Sequence, residues 1–332
     1  MKFGTVPIAE AVGSILAHSV RLKGSRLRKG TTLSSLDIAN LSAAGIHNIT
    51  VATLATDDWS ENRAAQKLAE ALVPDAKNAN MRLSRAFTGR VNIFATIPCV
   101  VRLQTDRLVQ LNNVDPMITL ATVPDYTQMA TGGMIATVKI ISYGVANAAL
   151  ERVCKFGRDA LNVAVPIYRT AKLIITDTPG GPGTKGIKAI ETRLQALGMN
   201  LKSSQTVPHQ VAYLKQEIIQ SQADMILILA GSATSDRMDV APEALRRAGG
   251  TVTRFGIPVD PGNLLFYGEL RGRPVIGLPG CARSPALNGA DWVLSRLACG
   301  LQIANADIAR MGIGGLLKES PSRPMPRERQ PR

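Results

Sequence analysis

The strongest constraint on the fold is the alternation of short apolar segments with amphipathic ones after Ala164. Four apolar, β-branched runs read as strands, at 171–177, 225–230, 251–257 and 274–278. Most of the intervening segments have the apolar spacing of helices. Strands separated by helices of this length predict a mainly parallel sheet covered on both faces. The fold class that follows is α/β, with a three-layer C-terminal domain preceded by smaller α+β segments.

The first 164 residues are expected to form smaller units. Pro7 and the apolar spacing after it predict a helix that continues to about His18, and Ser34 with Asp37 has the pattern of a helix capping box. The β-branched content of 81–141 predicts a small mixed unit. The predicted boundaries are a lead-in segment at 1–80, a small α+β domain at 81–164, the α/β domain at 165–305, and a tail or truncated linker at 306–332.

The chain is strongly basic, with a formal net charge of +14. Such a surface attracts phosphates, oxyanions, nucleic acid or an anionic membrane, although a solubilising charged surface explains it equally well. Aromatic residues make up 4% of the chain, too few for a surface that stacks bases, so nucleic acid ranks below a small anionic ligand. Arg90, Asn92 and Lys139 are either anion contacts or structural residues.

The cysteines do not indicate a metal centre. Cys99, Cys154, Cys281 and Cys299 are scattered without a paired spacing, so neither zinc nor disulfides are implied. The N-terminus lacks the long apolar core of a secretion signal, and no apolar run approaches the roughly 20 residues that cross a bilayer. We expect a cytoplasmic protein that does not associate with membranes.

A glycine-rich loop follows the first strand of the α/β region, from Asp177 to Gly186. Glycines allow the backbone to approach a ligand closely, and free N–H groups at the start of a helix favour an anion. The loop lacks the Gly-Lys-Ser/Thr ending of a nucleotide-binding P-loop. A flexible turn is the alternative interpretation.

Two further loop regions are expected at the same edge of the sheet. The loop after the second strand, from Gly231 to Asp239, carries carboxylates at Asp236 and Asp239, which either cap the following helix or join Asp177 in holding Mg²⁺. The third region contains the turns Pro261–Gly262 and Pro279–Gly280, and Ser284 is expected to cap the last helix. Together these loops predict an anion-binding cleft with room for one metal ion.

The order and spacing of these stretches resemble the molybdopterin-binding domain shared by the MoeA/gephyrin, MogA and CinA proteins. The stretches that carry the resemblance are 174–177, 231–250 and 258–285, and the upstream stretch 26–51 is similar to a MoeA lead-in. The resemblance therefore implies a MogA-like α/β domain over roughly 165–305. The whole chain resembles the MoeA-like portion of bacterial fusions with a MobA-type nucleotidyltransferase.

The resemblance also implies roles for individual residues. Asp177 and Asp239 would be the catalytic residues and would serve Mg²⁺ or molybdate. Ser232 stands where the family has a second glycine, and Cys281 and Ala282 stand where it has asparagine and proline. The residues expected to bind the cofactor are Thr178, Gly180, Gly231, Ser232, Thr234, Ser235, Asp236, Pro261, Gly262, Pro279, Gly280 and Ser284.

Three functions compete at this point. The leading hypothesis is a homodimeric molybdenum cofactor biosynthesis protein that binds molybdopterin and, with Mg²⁺, promotes molybdate insertion or processes adenylylated molybdopterin. The second is a carrier module without catalytic activity that delivers molybdopterin to a MobA-type nucleotidyltransferase. The third is a basic protein that binds nucleotides or nucleic acid.

Overall fold

The computed structural model describes residues 1–317, so the part of the predicted tail at 318–332 lies outside the described residues. The chain divides into two compact units. The first comprises Met1–Ile97, Val101–Asp125 and Thr131–Val163, and the second comprises Pro98–Val100, Tyr126–Ala130 and the chain from Ala164. Within residues 1–317, no helix combines the length and apolarity needed to span a bilayer. The boundaries expected at 80, 164 and 305 stay predictions.

Short strands dominate the chain before Ala164. In chain order the elements are β1 (Lys2–Pro7), β2 (Ile15–Leu16), β3 (Val20–Leu22), β4 (Ser25–Leu27), α1 (Ser35–Ala43), β5 (Asn48–Thr53), β6 (Asp58–Ser60), α2 (Glu61–Leu72), β7 (Met81–Leu83), β8 (Arg90–Ala95), β9 (Cys99–Leu103), α3 (Thr105–Asn112), β10 (Ile118–Thr122), β11 (Gln128–Met129), β12 (Met134–Ile140), β13 (Gly144–Ala146), α4 (Asn147–Gly157) and β14 (Leu161–Ala164).

Small sheets organise the first unit. Strands β1, β5 and β2 form one sheet, and β10, β12, β8 and β7 form another. The predicted capping box of α1 is present, because Ser34 accepts from the Asp37 N–H and Asp37 accepts from the Ser34 N–H. Helix α2 buries the apolar face that its spacing predicts, including Leu68 and Leu72.

The helix predicted up to His18 is wrong. The chain makes one 3-10 turn at Ile8–Glu10 and then the strand β2, which pairs with β5. Gly13 lies between them with a φ of +79°, a backbone conformation that a helix cannot contain. Leu16 is nevertheless fully buried, in a cluster with Leu33 and Leu41, whereas Val12, another apolar residue of the predicted helix, is 51% exposed.

The second unit contains the α/β sheet. Its elements are β15 (Thr170–Asp177), α5 (Ile187–Ala196), β16 (Asn200–Pro208), α6 (Val211–Gln220), β17 (Met225–Leu229), α7 (Val240–Arg247), β18 (Thr251–Phe255), β19 (Phe266–Leu270), β20 (Arg273–Leu278), α8 (Gly289–Ala298) and α9 (Asn305–Arg310). The strand order is β16-β15-β17-β20-β19-β18. Strands β16, β15, β17 and β20 are parallel, and β19 is antiparallel to both of its neighbours.

Alternate residues of the central strands build one core on each face of this sheet. Leu173 and Leu227 point into a core that includes residues of α5 and α8. Ile174 and Ile228 point into the opposite core, with residues of α6 and α7. Because every second side chain of a strand faces the same way, apolar runs in β15 and β17 are required to supply both cores. The expected three-layer, mainly parallel α/β domain is confirmed, although strand β19 was not predicted.

A glycine on β20 sets a steric limit in this sheet. Gly277 is the cross-strand partner of Phe266 on β19, and a Cβ atom at Gly277 would overlap the Phe266 ring. Phe266 is fully buried in the core on the α6 and α7 face. The sheet therefore accommodates the largest of its fully buried side chains only because residue 277 has none.

We predict that Gly277→Ala destabilises the protein by about 1–3 kcal/mol or more, because overpacking forces a buried ring from its position. Differential scanning calorimetry should show a lower melting temperature. The double variant Gly277→Ala/Phe266→Leu should recover part of the loss. Gly4→Ala is the control, since nothing lies within 4 Å of that Cβ position, and an equal effect of the two single variants would contradict the steric explanation.

Candidate functional site

The strand order creates a crevice at the carboxyl ends of β15 and β17. These strands are neighbours, but the chain leaves β15 towards α5 on one face of the sheet and leaves β17 towards α7 on the other. The two loops therefore lead to opposite faces of the sheet, and the second loop contacts the end of β15. Ligands of open α/β sheets bind at such a switch point.

The loop after β15 folds back over its own first residue. The Gly181 N–H donates to the Thr178 carbonyl at 2.8 Å. A Cβ atom at Gly181 would lie 2.7 Å from Asp177 Oδ1, so this position accepts only glycine. Asp177 Oδ1 is buried and has no hydrogen-bond partner. The turn thus encloses a carboxylate oxygen that is left without a donor.

The loop after β17 is anchored to the end of β15 through Thr176, which is fully buried. The Gly231 N–H donates to Thr176 Oγ1 at 3.0 Å, and the same hydroxyl lies 2.7 Å from His209 Nδ1. A Cβ atom at Gly231 would lie 2.5 Å from the Thr176 carbonyl oxygen. Gly231 therefore allows the second loop to approach the backbone next to Asp177.

The two carboxylates of the second loop both bond to backbone N–H groups. Asp239 is the N-cap of α7: its Oδ1 accepts from the Val240 N–H at 2.6 Å, and its Oδ2 accepts from the Ser235 N–H at 3.0 Å. Asp236 Oδ1 accepts from the Met238 N–H at 2.7 Å. Of the two interpretations given for Asp239, helix capping is therefore observed. Thr234 is buried, and Ser232, Ser235 and Asp236 are exposed.

The third loop is held by a buried arginine of α5. Arg193 pairs with Asp291 at 2.6 Å and donates to the carbonyl groups of Ala282, Ser284 and Ala286 at 2.8–3.0 Å. Helix α8 is capped by Asn288 rather than by Ser284. The Ser284 hydroxyl instead accepts from the Ala286 N–H, so the expected cap was wrong by four residues. Gly280 begins a 3-10 turn directly after Pro279.

A second arginine joins all three loops. Arg283, in the third loop, donates to the Lys185 carbonyl of the first loop at 2.7 Å and to the Ala230 carbonyl before the second at 2.9 Å. Gly186 permits this contact, because a Cβ atom there would lie 2.9 Å from Arg283 Cα. Burial lowers the pKa of Arg283, and the negative charge of Asp177 opposes that lowering. A cation and a carboxylate therefore occupy the same crevice.

The turn at Pro261–Gly262 has a different neighbour. The Pro261 carbonyl accepts from the Gly289 N–H at 2.8 Å, and a Cβ atom at Gly262 would lie 2.6 Å from the Gly289 nitrogen. This turn therefore packs against the start of α8.

In the first unit, Lys139 donates to the Thr88 carbonyl and Asn92 accepts from the Thr137 hydroxyl, as the structural interpretation of these residues expects.

The structure brings together some predicted residues and adds others. Asp177, Thr178, Gly231 and the third loop meet in the crevice. Thr176, His209, Arg193 and Arg283 were not predicted. Arg283 follows a Pro-Gly turn at a strand end, a position where its role could have been suspected, whereas nothing in the sequence marks Arg193. In residues 1–317, no group of three or more His, Cys, Asp or Glu side chains is arranged to hold a metal ion.

We predict that Thr176→Val lowers the free energy of unfolding by about 1–3 kcal/mol, because the Gly231 N–H loses its acceptor in a buried setting. Urea unfolding measures this change. Thr176→Ser keeps the hydroxyl and should lose less than the valine variant. A larger loss with serine would show that packing of the methyl group, rather than the hydrogen bond, positions the second loop.

Comparison with known proteins assigns part of this region to a family. Residues 185–297 match the family described as a probable molybdopterin binding domain, and residues 5–53 match a domain of unknown function. The first match includes the second and third loops and begins after Asp177. No curated protein matches the chain.

Solved structures with some similarity carry related descriptions. The molybdopterin biosynthesis MoeA protein of Pyrococcus horikoshii shares 12% identity and a TM-score of 0.31, over 94% of this chain and 77% of that one. The MoaB enzyme of Thermus thermophilus shares 17% identity and a TM-score of 0.28, over 46% of this chain and 100% of that one. These values carry no argument about activity. Only the family model carries weight: residues 185–297 match the probable molybdopterin binding domain, in agreement with the MoeA/MogA-type resemblance of that region.

Proposed function

We propose that this chain binds molybdopterin in the crevice between β15 and β17 and acts in molybdenum cofactor biosynthesis. The observation that carries the proposal is the coincidence of two findings in one place. Residues 185–297 match a molybdopterin-binding family, and the loops that this segment contains meet at Arg283 beside Asp177. Neither a basic surface nor an α/β sheet alone would favour this ligand.

Two glycines and one arginine shape the crevice. Gly181 and Gly231 have no room for a side chain, so both loops keep their backbones close to the strand ends. Arg283 supplies a fixed positive charge, since its guanidinium is held by carbonyl groups of two loops. A phosphate-bearing pterin requires such a charge, because desolvated anions are stabilised by arginine.

Asp177 is the better candidate for Mg²⁺. Its Oδ1 has no hydrogen-bond partner, whereas both oxygens of Asp239 accept backbone N–H groups. Mg²⁺ binds through one or two protein carboxylates and takes its remaining ligands from water and substrate. When bound, the ion would neutralise the Asp177 carboxylate next to an anionic ligand. In this proposal Asp239 shapes the loop and reaches the metal only indirectly.

Two roles fit such a site. In the first, the protein promotes molybdate insertion into molybdopterin or processes the adenylylated form, with molybdate as a substrate. In the second, it carries molybdopterin to a MobA-type nucleotidyltransferase without changing it. The exposed hydroxyls of Ser232 and Ser235 are available to an oxyanion in either case. The homodimer and the cytoplasmic location stay expectations.

We predict that molybdopterin raises the melting temperature of the wild-type protein, since a ligand that binds only the folded state stabilises it. Arg283→Gln should weaken binding at least about tenfold, because a charged hydrogen bond is lost. Anaerobic fluorescence titration measures the dissociation constant. Arg310→Gln removes an equal charge from a side chain that is 79% exposed and should bind as the wild type does. Unchanged melting at saturating molybdopterin would refute the proposed function.

A second experiment separates the enzyme from the carrier. We predict that product formation from molybdopterin and molybdate requires Mg²⁺ and falls strongly in Asp177→Asn. In Asp239→Asn the amide oxygen can accept only one of the two backbone N–H groups that the carboxylate accepts, so stability should fall by about 1–3 kcal/mol and activity should fall less than in Asp177→Asn. Transfer of unmodified molybdopterin to a nucleotidyltransferase, independent of molybdate and equal in all variants, would support the carrier instead.

A further inference from the structure

A basic cavity lies beside the edge strand of the six-stranded sheet. It has a volume of about 350 Å³ and is lined by Arg237, Arg246, Val252, Thr253, Arg254, Phe255 and Asn305. These residues come from the loop before α7, from α7 itself, from β18 and from α9. We call this set the arginine cavity. Its lining includes three arginines and no acidic residue, so the cavity carries a net positive charge.

Two of the three guanidinium groups are held in place. Arg254 donates through Nε to the Gly256 carbonyl at 3.0 Å and through Nη1 to Asn305 Oδ1 at 3.2 Å. Arg246 pairs with Glu243 at 2.6 Å and also donates to the Arg237 carbonyl. Each guanidinium has five N–H donors, so these contacts fix the groups and leave further donors for a ligand.

The carboxylate that pairs with Arg246 is shared with a second arginine. Glu243 accepts from Arg246 at 2.6 Å and from Arg247 at 2.7 Å, so one carboxylate serves two arginines. Arg237 lies on the exposed part of the loop, and Arg254 is half-buried and paired with neutral oxygens only. In the described contacts of the lining, one shared carboxylate faces three arginines, so an anion that enters the cavity meets an excess of positive charge.

The edge strand β18 has a bulge where it lines the cavity. The register with β19 shifts between Val252 and Arg254, so Thr253 is an extra residue in the edge strand and is exposed. Bulges at sheet edges redirect side chains away from the regular pleat. Phe255 and Val252 add an apolar wall to the arginine cluster. The cavity thus combines charged donors, one hydroxyl and an apolar surface.

We propose that the arginine cavity binds a small phosphate monoester. Arginine recognises phosphate with paired N–H groups, and several arginines together match the dianionic charge of a monoester better than that of a single carboxylate. The volume lies within the range of small-molecule sites, and the apolar wall fits the organic part of the ester. The lining shares Arg237 with the second loop but includes neither Asp177 nor Arg283, and the proposal does not depend on the proposed molybdopterin function.

Isothermal titration with phenyl phosphate tests the proposal, with inorganic phosphate and benzoate as further probes. Phenyl phosphate should bind more tightly than inorganic phosphate, because only the ester uses the apolar wall, and more tightly than benzoate, because only phosphate is dianionic. Arg254→Gln and Arg237→Gln should each weaken it at least about tenfold. Arg152→Gln is the control, since it removes an equal charge from an exposed residue of α4 that does not line the cavity.

The outcomes distinguish this inference from the function proposed above. The phosphate-site proposal would be overturned if all three variants bound phenyl phosphate with the affinity of the wild type, or if the wild type did not bind it. Either result would leave the proposed molybdopterin binding unaffected. Loss of molybdopterin affinity in Arg254→Gln to the same extent as in Arg283→Gln would show that the cavity is part of the pterin site and would overturn its separateness. Circular dichroism of the exposed-loop variant Arg237→Gln guards against loss of folding as the cause.

Discussion

The candidate site depends on two arginines that satisfy loop carbonyl groups. Loops at the ends of parallel strands have no partner strand, so their backbone oxygens require other donors when they are buried. Arg193 supplies donors to the third loop from within α5, and Arg283 supplies them to the other two loops. The carbonyl groups that these arginines bind would otherwise depend on solvent for donors. Both guanidinium groups therefore act as fixed structural cations as well as sources of charge.

The two carboxylates that the sequence analysis treated alike differ in the structure. Asp239 stands directly before a helix and bonds to the N–H groups that every helix start leaves without partners. Asp177 ends a strand, where the following backbone turns away and encloses its Oδ1 without a donor. The two carboxylates differ in their hydrogen bonding because Asp239 directly precedes a helix and Asp177 does not. The sequence places both residues in loops, but it does not show which of them retains capacity for a ligand.

Much of the α/β unit could be predicted from the sequence, because the central strands β15, β17 and β20 are apolar on both faces and the helices have regular spacing. The strand β19 was missed because Gly268 and Glu269 interrupt its apolar pattern, although its burial is nearly complete. The helix predicted after Pro7 failed because Gly13 requires a positive φ. The role of Arg193 could not be predicted, since it depends on a loop some 90 residues away.

The bulge in β18 has a counterpart at the other side of the sheet. In β16 the register with β15 skips Lys202, just as the register of β18 with β19 skips Thr253. Both outermost strands thus carry an extra residue, and β16 also ends in Pro208, which has no N–H to donate. Irregular edges of this kind oppose the addition of a further strand. The six-stranded sheet is thus protected at both of its edges against pairing with a strand of another chain.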